Sequence, residues 1–133
     1  MAVSQADIQS VGSASNPKLR AVPDVKIDKN GKFKYILIKV HDPEKEREFK
    51  HIVRGTNKSF HADILDDVTP DIESSGLDCE CVGGGRISHE PNKKKIEIFG
   101  YSQGFGRANH YITARILGKK YSEYDVSFTN EGY

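Results

Sequence analysis

The sequence has no long hydrophobic run, almost no net charge and only two cysteines, and each scarcity excludes something. No apolar stretch approaches the roughly 20 residues that a membrane-spanning helix needs, so no membrane partner is expected. The first residues carry neither the apolar core of a secretion signal nor an Arg-rich amphipathic pattern, which makes the cytoplasm the expected location. Twenty Lys/Arg against nineteen Asp/Glu leave a formal charge of +1, which argues against a dedicated nucleic-acid binder. Cys79 and Cys81 lie one residue apart; on a strand they would share a face, at a spacing too tight for a structural disulfide. Zinc sites space cysteines by two to four residues and need a second ligand pair, which His89 alone does not supply. Two buried, reduced thiols are expected, and neither metal nor cofactor.

What is present is the composition of an ordinary globular domain, 36% hydrophobic and 29% charged. At 133 residues the chain is long enough for one domain with a real core. Its charge is unevenly spread. Nine Lys/Arg face four Asp/Glu between Lys29 and Lys58, seven acids and no base lie between Asp63 and Glu80, and eight bases face two acids between Arg86 and Lys120. Two basic blocks flanking an acidic one can assemble a basic patch if they meet in space, although solvated faces of alternating sign are the commoner outcome.

Residues 1–21 are rich in Ser, Ala, Gln and Gly without an apolar period, and read as a flexible tail ahead of a domain over 22–133. Asp28-Lys29-Asn30-Gly31-Lys32 is a strong turn. The clearest strand is 33–40, with Phe33, Tyr35 and Leu37 on one face and Lys34, Ile36, Ile38 and Val40 on the other. Two apolar faces define a central strand covered on both sides. A charged connection leads to a strand over 48–54. A helix from about Ala62 carries Ile64, Leu65, Val68 and Ile72 at helical spacing, with Pro70 as a kink or restart and Gly76 as its end. Residues 78–89 read as a strand interrupted by Gly83-Gly84-Gly85, the mark of a bulge or of a close approach to the backbone. Further strands are expected over 96–101 and 124–129, the latter with Tyr124, Val126 and Phe128 inward, and a second helix over 107–117 stopped by Gly118. The fold class is α/β (α+β), one domain with a mixed five- to six-stranded sheet and two helices packed against it.

Two places suit anion chemistry. His61 stands at the entrance to the first helix, with Ser59 or His61 itself ending the preceding loop, where backbone N–H groups point outward. Ser102-Gln103-Gly104-Phe105-Gly106 joins a strand to a helix, and its glycines allow successive amides to converge on one point. It lacks the Gly-Lys-Ser/Thr ending of a nucleotide loop, and such a turn is more often simply tight. His41 and His51 lie in a charged stretch, and His110 lies beside an apolar stripe where a hydrogen-bonded structural histidine is usual. On spacing alone, His61 fits a structural and a catalytic role equally.

Several segments settle the choice by resemblance: Phe33-Lys34-Tyr35-Ile36-Leu37-Ile38, Ile52-Val53-Arg54-Gly55, His61-Ala62-Asp63-Ile64, Asp78-Cys79-Glu80-Cys81 through Gly85-Arg86-Ile87-Ser88-His89, Gly100-Tyr101-Ser102 and the closing Asn130-Glu131-Gly132-Tyr133. In this order, over Val22 to Tyr133, they resemble the janus / 14 kDa phosphohistidine phosphatase family. The resemblance implies a metal-independent phosphatase whose substrates are phosphohistidine-containing proteins; a monomer is expected. It implies His61 as the catalytic residue; a general base is preferred to a nucleophile because the sequence supplies no obvious second base to hydrolyse a phosphoenzyme. It also implies phosphate contacts from Lys34, from Ala62 beside the histidine, and from Ser102, Gln103 and Gly104 largely through backbone N–H groups, with Arg54 and Arg86 adding positive potential. Gln103-Gly104-Phe105 and the longer N-terminal segment depart from the family pattern. A phosphate-recognising module that kept the fold without turnover is the competing expectation.

Overall fold

A computed structural model describes residues 10–132. Among the described residues, seven strands form one mixed sheet: β1 (Ser10–Val11), β2 (Val25–Ile27), β3 (Gly31–Asp42), β4 (Lys45–Thr56), β5 (Asp78–Glu90), β6 (Lys95–Phe99) and β7 (Asp125–Phe128). The order is β1-β4-β3-β5-β6-β7, with β2 also paired to the outer side of β4. The pairs β3–β4, β3–β5 and β5–β6 are antiparallel, whereas β2 and β7 add parallel strands to β4 and β6. The helices are α1 (Pro17–Ala21), α2 (His61–Ser74) and α3 (His110–Lys120). No helix among the described residues is long and apolar enough to cross a membrane.

The two-faced pattern of β3 organises everything else. Ile36, Ile38 and Val40 join Leu19, Ile52, Ile64, Ile72 and Leu77 under α1 and α2. On the opposite face, Phe33, Tyr35 and Leu37 join Val53, Ile87, Ile96, Ile98, Ile112, Ile116 and Leu117 under α3. The mixed α+β architecture is therefore the expected one, with seven strands and three helices in place of five or six and two.

The expectation of a flexible N-terminal tail does not hold for residues 10–21. Ser10 and Val11 pair with Lys50 and Phe49. Asn16 caps α1 by accepting from the N–H groups of Lys18 and Leu19, and its amide donates to Asp42 and Glu48. Leu19 is fully buried. Residues 1–9 of the expected tail lie outside the described residues.

Other expectations also change. Pro70 lies inside a continuous α2, because Ile64, Leu65, Val68 and Ile72 pack on both sides of it and tertiary burial outweighs propensity. The helix expected over 107–117 runs from His110 to Lys120, capped by Asn109 accepting from Tyr111 N–H. It passes Gly118 because Leu117 is buried and its carbonyl is closed by Tyr121 N–H. Phe128, expected inward, is 40% exposed at the sheet edge, while Tyr124 and Val126 do pack against the core.

Candidate active site

The glycine run at the middle of β5 explains how a helix and a loop reach the sheet at one point. A Cβ on Gly84 would lie 2.8 Å from His61 Cδ2, 2.8 Å from the Tyr35 carbonyl oxygen and 3.0 Å from Ser102 Cβ. On the other face, a Cβ on Gly85 would lie 2.5 Å from the Phe99 carbonyl and 2.7 Å from His110 Cε1. The pairing also slips at this point, with Leu37 opposite Gly83 and Ile38 opposite Cys81, so that Val82 bulges. Both a bulge and a close approach are realised.

His61 is the first residue of α2, and its ring is buried. Its Nε2 lies 2.9 Å from the Gly85 carbonyl, and a carbonyl only accepts, so Nε2 carries the proton and Nδ1 carries the lone pair. Burial pushes the His61 pKa below its ordinary value, and Lys34 and Arg86 add to this, while the Gly85 bond works in the opposite direction. Burial thus favours the neutral imidazole, the state a general base requires, and in that state the Gly85 contact selects the Nε2–H tautomer.

Lys34 enters from β3, half-buried on the same face as Ile36 and opposite Thr56 and Arg86 in the ladder. Arg86 shares that face. The helix start supplies donors of its own. Its N-cap is Phe60, a residue without a side-chain acceptor, and Asp63 instead accepts from Phe60 N–H at 3.2 Å. The first-turn amides, including that of Ala62, therefore receive no side-chain cap from Phe60, which is the condition for an anion to take that place.

The loop 101–106 is closed by its own hydrogen bonds. Ser102 N–H donates to Gly106 C=O at 3.1 Å, Gly106 N–H returns to Ser102 C=O at 2.8 Å, and Phe105 N–H donates to Ser102 Oγ at 3.1 Å. Gly84 N–H also donates to Gly106 C=O, and Ala108 N–H to Gly84 C=O, which pins the loop to β5 beside His61. Ser102 is thus buried, with its amide and hydroxyl committed inside the loop. The amides of Gln103 and Gly104 take no part in these closing bonds, and both residues line the cleft.

The resulting cleft has a volume of about 440 Å³ and is lined by Lys34, Ser59, Phe60, His61, Ala62, Tyr101, Ser102, Gln103, Gly104 and Phe105. Five of the residues read from the sequence as phosphate-binding therefore converge with His61: Lys34, Ala62, Ser102, Gln103 and Gly104. Arg86 lies close enough to depress His61. Arg54 does not join them. It is 6% exposed and donates to the carbonyls of Pro23 and Val53. Burial lowers its pKa to about 10, and its task is to tie β4 to the segment before β2. The aromatic lining of Phe60, Tyr101 and Phe105 is what sequence reasoning missed; an aromatic residue placed directly before His61, at the end of a polar loop, was the available signal.

The remaining histidines have other partners. His110 Nε2 donates to the Gly100 carbonyl at 2.9 Å, so its Nδ1 accepts from Tyr35 O–H at 2.5 Å. His89 Nδ1 donates to the Asp28 carbonyl at 2.8 Å. Cys79 and Cys81 are both free thiols and half-buried on the α2 face. Among the described residues, no three His, Cys, Asp or Glu side chains cluster as a metal site.

Fold and cleft together define an α+β domain in which a buried histidine at a helix start lines one cleft with Lys34 and the loop residues Ser102, Gln103 and Gly104. The model of the Janus/Ocnus family (Ocnus) matches residues 19–125, and the chain belongs to that family. It is 47% identical over 120 residues to the 14 kDa phosphohistidine phosphatase of Homo sapiens, covering 86% of this chain and 96% of that protein. Against the 14 kDa phosphohistidine phosphatase of Sus scrofa it is 45% identical over 125 residues, covering 90% and 99%. The sex-regulated protein janus-A of Drosophila yakuba is 43% identical over 127 residues, covering 95% and 93%.

Proposed function

We propose that this chain is a protein phosphohistidine phosphatase that works in the cytoplasm as a monomer, without a metal, with His61 as the general base. The observation that carries the reading is the fixed tautomer of His61: its Nε2–H is held by Gly85 and Nδ1 is left basic in a side chain that lines the cleft. In this mechanism Nδ1 takes a proton from water as the water oxygen bonds to phosphorus. The P–N bond breaks, and its electron pair goes to the substrate imidazole, a neutral leaving group when its second nitrogen is protonated. Lys34, Arg86 and the amides of Ala62, Gln103 and Gly104 balance the charge on the phosphoryl oxygens. Because the P–N bond is labile, positioning and positive charge are sufficient, and no Lewis acid is called for. The names of the human and pig relatives support the same reaction.

Phosphate release from a phosphohistidine peptide tests the reading. His61→Ala is expected to fold normally and to lose about 10² to 10⁴-fold in kcat. Full activity in His61→Ala would remove the site, and a kinetically competent phosphoryl group trapped on His61 by rapid quench would replace the base with a nucleophile. Tight phosphopeptide binding with no turnover in the unmodified chain would favour the non-catalytic phosphate-recognising module.

A further inference from the structure

We propose that Phe60 and Tyr101 form an aromatic rim that selects a flat, aromatic carrier for the phosphoryl group, so that the cleft reads the imidazole as well as the phosphate. This rests on the phosphatase reading above and names the part of the substrate that the cationic wall leaves unread.

Phe60 is 69% exposed, against 41% for Val11, 40% for Phe128 and 38% for Tyr101 among the large exposed hydrophobic residues. Its ring is in neither core cluster. It also does nothing for α2, since capping there uses the Phe60 backbone, with N–H donating to Asp63 and C=O accepting from Asp63 N–H. A side chain that stabilises neither core nor helix, held next to His61 by a single peptide bond, is available to a ligand at His61. Tyr101 lines the same cleft, and the Arg107 guanidinium lies 5.9 Å from its ring centroid, which biases the ring's orientation.

A phosphoryl anion gains little from these rings; it is matched by Lys34, Arg86 and the amides. The faces of Phe60 and Tyr101 instead match a planar ring, through offset or edge-to-face contact. Phosphohistidine carries such a ring on the atom that leaves. A phosphorylated lysine offers only a flexible alkyl amine, and phosphoramidate offers no carbon at all. The rim therefore favours the aromatic carrier over the other two, although the same P–N bond is cleaved in each.

The test compares kcat/KM on a phosphohistidine peptide, a phospholysine peptide of the same sequence and phosphoramidate. In Phe60→Ala, the ratio of phosphohistidine to phosphoramidate kcat/KM is expected to fall about five- to tenfold, mostly through KM, with an unchanged thermal midpoint. Tyr101→Ala should lower the ratio in the same direction, and Phe60→Tyr should hold it within about twofold of the unsubstituted chain. An unchanged ratio in Phe60→Ala, or an equal loss on all three substrates, would overturn the rim and leave the phosphatase reading standing. No turnover of any of the three by the unsubstituted protein would overturn the phosphatase reading, and the rim with it.

Discussion

Gly84→Ala puts the assembly of the cleft under the most direct strain. The added methyl would stand 2.8 Å from the His61 ring, 2.8 Å from the Tyr35 carbonyl oxygen and 3.0 Å from Ser102 Cβ. Ordinary contacts at such positions begin near 3.4 Å. Tyr35 O belongs to the β3–β5 ladder and cannot retreat without breaking pairing, so the ring of His61 and the loop at Ser102 must give way. Overpacking of this kind costs about 1–3 kcal/mol, and a backbone neighbour places the change in the upper half of that range. With a urea slope of roughly 2 kcal/mol/M, the unfolding midpoint should fall by about 1 M or more. Displacing His61 also strains its bond to the Gly85 carbonyl, and a misplacement of about 1 Å costs on the order of 10² in rate. The control is Gly118→Ala: nothing lies within 4 Å of its Cβ, and it should gain about 0.5–1 kcal/mol by adding helix propensity. Urea unfolding and phosphate release on the same preparations decide the matter. If Gly84→Ala loses less than about 0.5 kcal/mol and keeps kcat within twofold, the glycine run is not what seats His61.

Other expectations follow from single contacts. Tyr35→Phe removes the donor to His110 Nδ1 and the partner of Thr113 in a fully buried setting; it should cost about 1–3 kcal/mol, and an unmoved urea midpoint would show that His110 finds another donor. Leu19→Ala, in the segment that composition alone makes a tail, should cost about 2–5 kcal/mol because that side chain is fully buried, and deleting residues 1–21 should cost at least as much; unchanged melting of either would refute the packing of α1. The acid limb of kcat/KM should lie below the ordinary histidine value of about 6.5, because the depressed His61 stays neutral, and active, until pH falls through its lowered pKa. Lys34→Ala removes one of the two cations that depress it and should move that limb to higher pH; a limb that stays put would take Lys34 out of the site's electrostatics.

Much of this was legible because the informative segments are long or chemically rigid. Eight residues of β3 with two apolar faces could only be a central strand, and that strand fixes which face Lys34 shares with α2. His61 was legible as a helix entrance because the apolar period begins at Ile64. Three successive glycines announced a close approach, although not what approaches: a histidine ring on one face and His110 on the other. The parts that stayed hidden lack a period to read. A strand of two or three residues, such as β1 or β2, has no alternation, and α1 buries a single leucine. Arg54 illustrates a different limit. Its position beside Val53 and Gly55 says that it sits on β4, but only the fold shows that its guanidinium turns to the Pro23 carbonyl and away from the cleft.

The same limit explains why the chemistry of His61 needed coordinates. A histidine at a helix N-terminus can be a cation that binds the phosphate or a neutral base that works beside it, and sequence does not separate the two. Here the Gly85 carbonyl accepts a hydrogen bond from Nε2–H, burial disfavours the imidazolium, and Lys34 and Arg86 disfavour it further. The cations that would hold the phosphoryl oxygens therefore add to burial, the larger cause, in disfavouring the imidazolium. When an anion occupies the cleft it offsets that positive field, so His61 becomes a stronger base once there is a phosphoryl group for its water to attack. In the mechanism proposed above, one set of charges would serve both binding and activation. There the imidazole deals only with the proton, and the amides at the start of α2 and in the loop are left to balance the phosphoryl oxygens.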